Sequence, residues 1–467
     1  MDIFELSGTS TARLIKSGEI SVVEVMRQTL GRADEIQGSC HPFITIAHDQ
    51  ALREAEQADK LLRESEPASL PELFGVPFTV KDLLDTKGMP TTYGSRALAE
   101  NIPERDVAAV SRLRSAGAIL IGKTTTSEFA TKVTTDSELF GTTRNPWDTT
   151  LSAGGSSGGA GVAAAVGAGP LAISTDGGGS ARIPAAVCGI LGLKVTIGAI
   201  PHESWPFHFG NNSSISMNAR QVDDLVTMFN AMSGEHRLDP WSRRSRPPLS
   251  LTQSESPMLG LRALFIPAIG GNTTDEAYIT IVRALLKKIE DLELDFADND
   301  PTNFDPGIAT QMIICNLAAR VRQLTSDQQE RLGPVLKGLL DNERYRPDGV
   351  RVQADAILRS QCYDAVEQLL NKYDFILSPT LTAPPPLADP TADQSVLING
   401  EKQTIDKWWS HLSLANQSGH PAISIPCGYD KNGLPVGLHA IARWDREQDL
   451  IDLASAVSQI TEWRTLY

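Results

Sequence analysis

The chain has 467 residues, of which 41% are hydrophobic and 21% charged, proportions of an ordinary globular protein that exclude a fibrous or disordered chain. Its 42 Lys and Arg against 57 Asp and Glu leave a formal charge of −15. With no long basic run, that balance argues against nucleic acid or an anionic membrane as the main partner. Five scattered cysteines (Cys40, Cys188, Cys315, Cys362, Cys427) form no CxxC pair, so neither a disulfide framework nor a zinc site is indicated.

The opening segment has no basic region followed by an apolar one, so no secretory signal is expected and the cytoplasm is the expected compartment. Ser21 opens a predicted helix with apolar residues at helical spacing (Val22, Val25, Met26, Leu30), and Glu24 follows at capping-box distance. A second helix is predicted over 49–62. Residues 74–82 (FGVPFTVKD) are an apolar run punctuated by Gly and Pro, which suits a strand that delivers Lys81 at its end. Residues 107–123 predict an amphipathic helix, a glycine turn and a buried strand. The apolar window 158–173 (GGAGVAAAVGAGPLAI) is 16 residues long, too short for a bilayer span, and reads as a buried helix packed closely on its neighbours. A strand is expected at 171–175. Residues 237–258 read as a surface excursion, 261–266 as a strand, 275–292 as a long helix and 383–403 as a Pro-rich polar loop. Strands at 375–377, 422–425 and 436–441 precede a final helix at 446–460. Strands alternating with helices, without an internal repeat, predict one large α/β domain with helical arms.

The Gly/Ser segment 154–161 matches several motifs. Residues 154–158 fit G-x-S-x-G and 159–164 fit a dinucleotide fingerprint, but neither follows an apolar strand, and no Gly-Lys-Ser/Thr follows for a phosphate loop. A second cluster, Asp176 to Ser180, carries three successive glycines. Such a stretch can turn its N–H groups into one concavity, as an oxyanion hole requires, and Ser180 ends it. That serine needs a base. None of the eight histidines sits in a triad-like motif, although a triad is assembled in space. Lys81 is the other candidate, since burial lowers a lysine pKa and a neutral amine is a competent base. An ion pair with the adjacent Asp82 is the plainer reading of Lys81, and the residues alone slightly favour it.

Several blocks then match in order: 75–82 (GVPFTVKD), 122–129 (GKTTTSEF), 140–147 (FGTTRNPW), 154–159 (GGSSGG), 175–184 (TDGGGSARIP), 188–194 (CGILGLK), 415–426 (ANQSGHPAISIP) and 433–437 (GLPVG). In these the chain resembles the amidase signature family of serine hydrolases. The resemblance implies an α/β fold, a mixed twisted β-sheet covered by helices on both faces, forming a single domain over 1–467. Within it a helical arm would span about 1–65, the signature core about 70–200, and mobile substrate-pocket loops about 200–250 and 380–410. It implies Ser180 as nucleophile, Ser156 on a cis peptide bond after Gly155 as proton relay, and neutral Lys81 as base. The N–H groups of Gly177, Gly178, Gly179 and Ser180 would form the oxyanion hole, supported by Asp176, Arg182 and Ser157. No metal or organic cofactor is implied. Phe129, Trp205, Phe207, Phe209, Trp408 and Trp409 are candidate pocket aromatics.

The chain departs from the family at 214–220 (SISMNAR), where many relatives carry Gly-Pro, and at 202–211, which is unusually aromatic. The expected activity is hydrolysis of a small amide, preferably an aryl amide (anilide) or a carbamate (urethane), by a chain that acts on a small molecule without nucleic acid or membrane; homodimers are common in the family. The alternatives are the amidase component of a tRNA-dependent amidotransferase, acting as a glutaminase, and a biuret- or allophanate-type hydrolase.

Overall fold

Strand Leu171–Asp176 sends alternate side chains to opposite faces, and every one of its residues is buried. A strand buried on both faces needs a covering layer on each. A computed structural model describes residues 3–203, 207–242, 244, 246–251, 254, 256–302, 304–343, 346–389, 391, 395–461 and 466. In it, eleven strands form one sheet in the order Phe43–Ile46, Ile119–Thr124, Pro77–Lys81, Leu171–Asp176, Ser214–Ala219, Leu191–Lys194, Ala422–Tyr429, Pro435–Ala442, Phe375–Pro379, Arg262–Phe265, Glu293–Phe296. Pro77–Lys81 runs parallel to both of its neighbours. Phe375–Pro379, Arg262–Phe265 and Glu293–Phe296 are parallel to one another, and the remaining pairs are antiparallel. The α/β expectation, a mixed sheet between helices, is borne out.

The period of two sorts side chains into two main cores. Leu171, Ile173 and Leu120 join one, beneath the helices Ala108–Ser115, Val222–Met232, Glu276–Leu286 and Glu447–Ile460. Ala172, Ile119 and Ile121 join the other, with the helices Val22–Cys40, His48–Glu64, Gly158–Ala165 and Arg182–Cys188. No helix among the described residues is long and apolar enough to cross a membrane.

Local signals hold at most predicted ends. The Ser21 hydroxyl accepts the Glu24 N–H at 3.1 Å and starts Val22–Cys40; the helix expected at 49–62 runs His48–Glu64. Three predictions need correction. The window 158–173 is not one helix, because Gly167 and Gly169 take φ of +79° and +132°, ending the helix at Ala165 and turning the chain into Leu171–Asp176. The long helix at 275–292 stops at Leu286, and Glu293–Phe296, to which no element was assigned, is an edge strand. The loops at 200–250 and 383–403 contain ordered elements: Ser214–Ala219, Val222–Met232 and the hairpin Ser395–Ile398 with Glu401–Thr404. Pattern reading also missed the strand Leu191–Lys194 and the helices Pro306–Val321 and Gly349–Leu370.

Candidate active site

Because Pro77–Lys81 and Leu171–Asp176 are parallel neighbours, both deliver their C-terminal residues to one edge of the sheet. Lys81 ends the first and is fully buried. Its Nζ donates to Ser156 Oγ at 2.8 Å, Ser157 Oγ at 2.7 Å and Thr175 Oγ1 at 3.0 Å. No carboxylate is among these partners. Burial therefore dominates and lowers the Lys81 amine from 10.5 to about 7, with the more distant charge of Asp176 pulling weakly the other way.

The adjacent Asp82 does not pair with Lys81. Its carboxylate accepts from the Thr92 N–H and hydroxyl and lies 3.4 Å from Lys123 Nζ. The ion-pair reading of Lys81 is thereby overturned, because successive residues at a strand end point in opposite directions.

The serines reach Lys81 through a tight turn. Gly154 takes φ of +71° and the Gly155–Ser156 peptide bond is cis, as expected from the resemblance. A β-carbon on Gly155 would stand 2.7 Å from the Thr134 carbonyl carbon and oxygen, so backbone passes directly against backbone here. Ser157 touches Lys81 itself rather than supporting the loop from behind. Thr175, which no sequence argument singled out, completes the trio; its only signal was its place at the start of a matched block.

The loop from Asp176 to Arg182 is organised by a buried, bidentate pair. Arg182 Nε and Nη2 donate to Asp176 at 3.0 and 2.9 Å, and Asn416 Nδ2 adds a 3.0 Å bond. Arg182 also donates to the Leu412 carbonyl and Asn416 Oδ1, and contacts His439 Nε2 at 2.8 Å. Burial pushes the Asp176 carboxyl up, but Arg182, Asn416 and the Gly179 N–H outweigh it and hold it well below the usual carboxylate range. Asp176 and Arg182 thus support the loop.

The Gly179 N–H is committed to Asp176 Oδ1 at 2.7 Å. That removes Gly179 from the expected oxyanion donors and leaves Gly177, Gly178 and Ser180, whose N–H groups carry no hydrogen bond among the described residues. Ser180 is half-buried and lines a cavity of about 190 Å³. Its carbonyl accepts the Ser157 N–H at 3.2 Å. Its hydroxyl makes no hydrogen bond to Ser156 among the described residues, so the expected chain from Ser180 through Ser156 to Lys81 is joined at the lysine end only.

The cavity wall includes Tyr93 and Phe129, with ring centroids 5.5 Å apart, Ile313, Ile314 and Leu317 from the helix Pro306–Val321, Trp409, and the polar His202, Asn212, Asn316 and Arg320. Burial, then the charges of Arg320 and Lys81, lowers His202 to about 4, so its ring is neutral at pH 7. Phe129 and Trp409 stand where expected. Trp408 does not: it is fully buried and donates its indole N–H to the Ala383 carbonyl at 2.8 Å, since consecutive helical residues face different ways. Phe207 and Phe209 point to solvent, 52% and 69% exposed. Trp205 lies outside the described residues. Composition flagged the aromatic run at 202–211, of which His202 and Glu203 reach the cavity, whereas Ile313, Ile314, Asn316, Leu317 and Arg320 come from a helix that pattern reading missed.

A family model described as amidase matches residues 24–451. An acylamidase from Rhodococcus erythropolis is 32% identical over 463 residues, covering 98% of this chain and 96% of its own. A glutamyl-tRNA(Gln) amidotransferase component from Geobacillus kaustophilus is 30% identical over 490 residues, covering 99% of each chain. Among solved structures, a bacterial aryl acylamidase of the amidase signature family aligns with a TM-score of 0.90 at 26% identity, over 98% of this chain and 96% of that one.

Proposed function

Since the chain belongs to the amidase family, we propose that it is a free-standing hydrolase of small aryl amides (anilides), and of carbamates that present a similar planar acyl carbon, working through Ser180, Ser156 and Lys81. The observation that carries this reading is Lys81: an amine lowered to about 7, held by the hydroxyls of Ser156, Ser157 and Thr175 rather than by carboxylates, with Thr175 lining the same cavity as Ser180. A neutral amine there has one lone pair to accept a proton and hydroxyl groups to bring it.

In the proposed cycle the Ser180 hydroxyl gives its proton to Ser156 as its oxygen attacks the substrate carbonyl. Ser156 takes that proton while passing its own to Lys81. The oxyanion is held by the N–H groups of Gly177, Gly178 and Ser180, donors aimed in advance at charge that develops only in the transition state. The C–N bond then breaks, the amine leaves with the proton returned through Ser156, and an acyl ester remains on Ser180. Water repeats the sequence and releases the acid. Tyr93 and Phe129 offer an apolar aromatic face to an aryl group, and the acylamidase and aryl acylamidase relatives support that preference. The aromatic face of Tyr93 and Phe129 has no counterpart to meet in the small polar substrates of biuret- or allophanate-type enzymes, which fit less well.

The purified chain, assayed alone on nitroanilides and aryl carbamates, should show turnover with an initial burst of amine. A folded protein inert towards all of them, or Ser180→Ala protein with undiminished rate, would sink the reading. The similarity to the amidotransferase component supports a second one, a glutaminase that works with partner proteins. Glutamine hydrolysis that appears only with added partners, and no anilide turnover, would favour it.

A further inference from the structure

Of the charged side chains on the cavity wall, Lys132 pairs with Asp136, and Glu203 is taken by Arg105 and by the Ala108 N–H at 2.7 Å. Asp85 lies in the field of Lys123 and Arg105. Arg320 differs. It sits in the last turn of the helix Pro306–Val321 and lines the cavity, and its guanidinium has neither ion pair nor hydrogen bond among the described residues. An arginine at a helix C-terminus is ordinary when it reaches water or a carboxylate. This one faces the space that holds the substrate, beside the Tyr93 phenol, whose titration it influences.

We propose that Arg320 is a specificity-determining residue and that the substrate carries a carboxylate remote from the scissile amide, which the guanidinium receives. The inference rests on the amidase reading and narrows its substrate class. A guanidinium presents a planar fork of donors that matches a carboxylate two bonds at a time. Bound substrate excludes water from the cavity, and a neutral substrate would leave the cation desolvated and unpaired, which costs affinity. The Tyr93 hydroxyl can supply a further donor to the same anion, while the neutral His202 adds no competing charge. The carboxylate belongs either to the acyl part or to the amine part, and the test distinguishes the two.

The test compares kcat/KM for the 4-nitroanilide of succinic acid with that of butyric acid, and for 4-acetamidobenzoate with acetanilide. Wild-type protein should prefer the acidic member of one pair by about tenfold or more, mainly through KM, as one charge-assisted contact supports. Arg320→Met should fall on that acidic substrate about tenfold more heavily than on its neutral partner, and Arg320→Lys should restore part of the preference. No preference in either wild-type pair, or an equal fall on both members in Arg320→Met, would overturn the inference. A binding arm needs no turnover. Calorimetry on the Ser180→Ala protein should show benzoate binding more tightly than benzamide, with the difference lost when Arg320→Met is added. Benzoate preference without any hydrolysis would keep the anion subsite and reject the amidase reading; hydrolysis without any acid preference would do the reverse.

Discussion

A lysine buried without a counter-ion can lower its cost by finding a partner or by giving up its proton. Among the described residues, three lysines at or near strand ends are fully buried, and they answer differently. Lys123 takes a partner, Asp82, along with the Leu84 carbonyl at 2.9 Å and Thr91 Oγ1 at 2.7 Å. Lys194 donates to the carbonyls of His420 and Val195, groups that cannot release a proton. Lys81 alone of the three faces serine hydroxyls, and that decides which lysine can serve as a base. Lys81→Ala and Ser180→Ala should each lower kcat/KM by about a thousandfold or more, and the double variant by little more than either, as expected of groups in one relay; steady-state kinetics on a nitroanilide would check both points. Because the Lys81 amine is lowered to about 7 and must be neutral to act, log kcat/KM should fall with a slope of one below about pH 7. A profile flat to pH 5 would contradict a lysine base. At this scale the matched blocks made Lys81, Ser156 and Ser180 legible, whereas the choice between base and ion pair was not, since it depends on which way Asp82 turns. Gly179 was misjudged for a like reason: its N–H is claimed by a carboxylate three residues back, and only the loop's curvature shows this.

The helix Gly158–Ala165 shows how an element places the site. It is buried all round and follows directly from Ser156 and Ser157. A β-carbon on Gly159 would stand 2.4 Å from the Pro42 carbonyl oxygen and the Thr125 N, backbone atoms with no rotamer to yield. Gly159→Ala should therefore cost about 1–3 kcal/mol of stability, read from urea unfolding, and should also lower kcat, since relief requires moving the turn that carries the two serines. The Gly/Ala composition predicted that closeness correctly. The length of the helix was not legible, because Gly167 to Pro170 looked apolar although its φ values end the helix. The site edge depends equally on Pro306–Val321, which contributes Ile313, Leu317 and Arg320 to the cavity. Its apolar pattern is weakly one-sided because it packs on several surfaces at once, so periodicity gave no signal.

Across the whole molecule, burial of bases sets a pH dependence of stability. Lys81 and Lys194, each lowered by burial from 10.5 to about 7, bind fewer protons folded than unfolded between those values. Stability should therefore rise with pH from about 7, and the rise should slow from about pH 9, where the raised, buried thiols of Cys188 and Cys427 keep protons that the unfolded chain loses. Urea midpoints measured across that window should increase, and Lys194→Met should flatten the increase. The buried Asp176–Arg182 pair ties the loop to Asn416 and His439 from distant segments, so Arg182→Met should cost about 3–5 kcal/mol by leaving a carboxylate unpaired; equilibrium unfolding would measure it. The sequence by itself determined the family and the α/β class and pointed to Lys81, Ser156 and Ser180 as the site to inspect, because those rest on local runs of glycine, serine and apolar residues that any reading of the chain meets in order. Only the tertiary structure decided which partner each buried charge takes, which N–H groups remain open, and which side chains wall the cavity. Those outcomes depend on directions in space between segments up to 257 residues apart, and sequence pattern carries no information about direction until the sheet and its crossovers have formed.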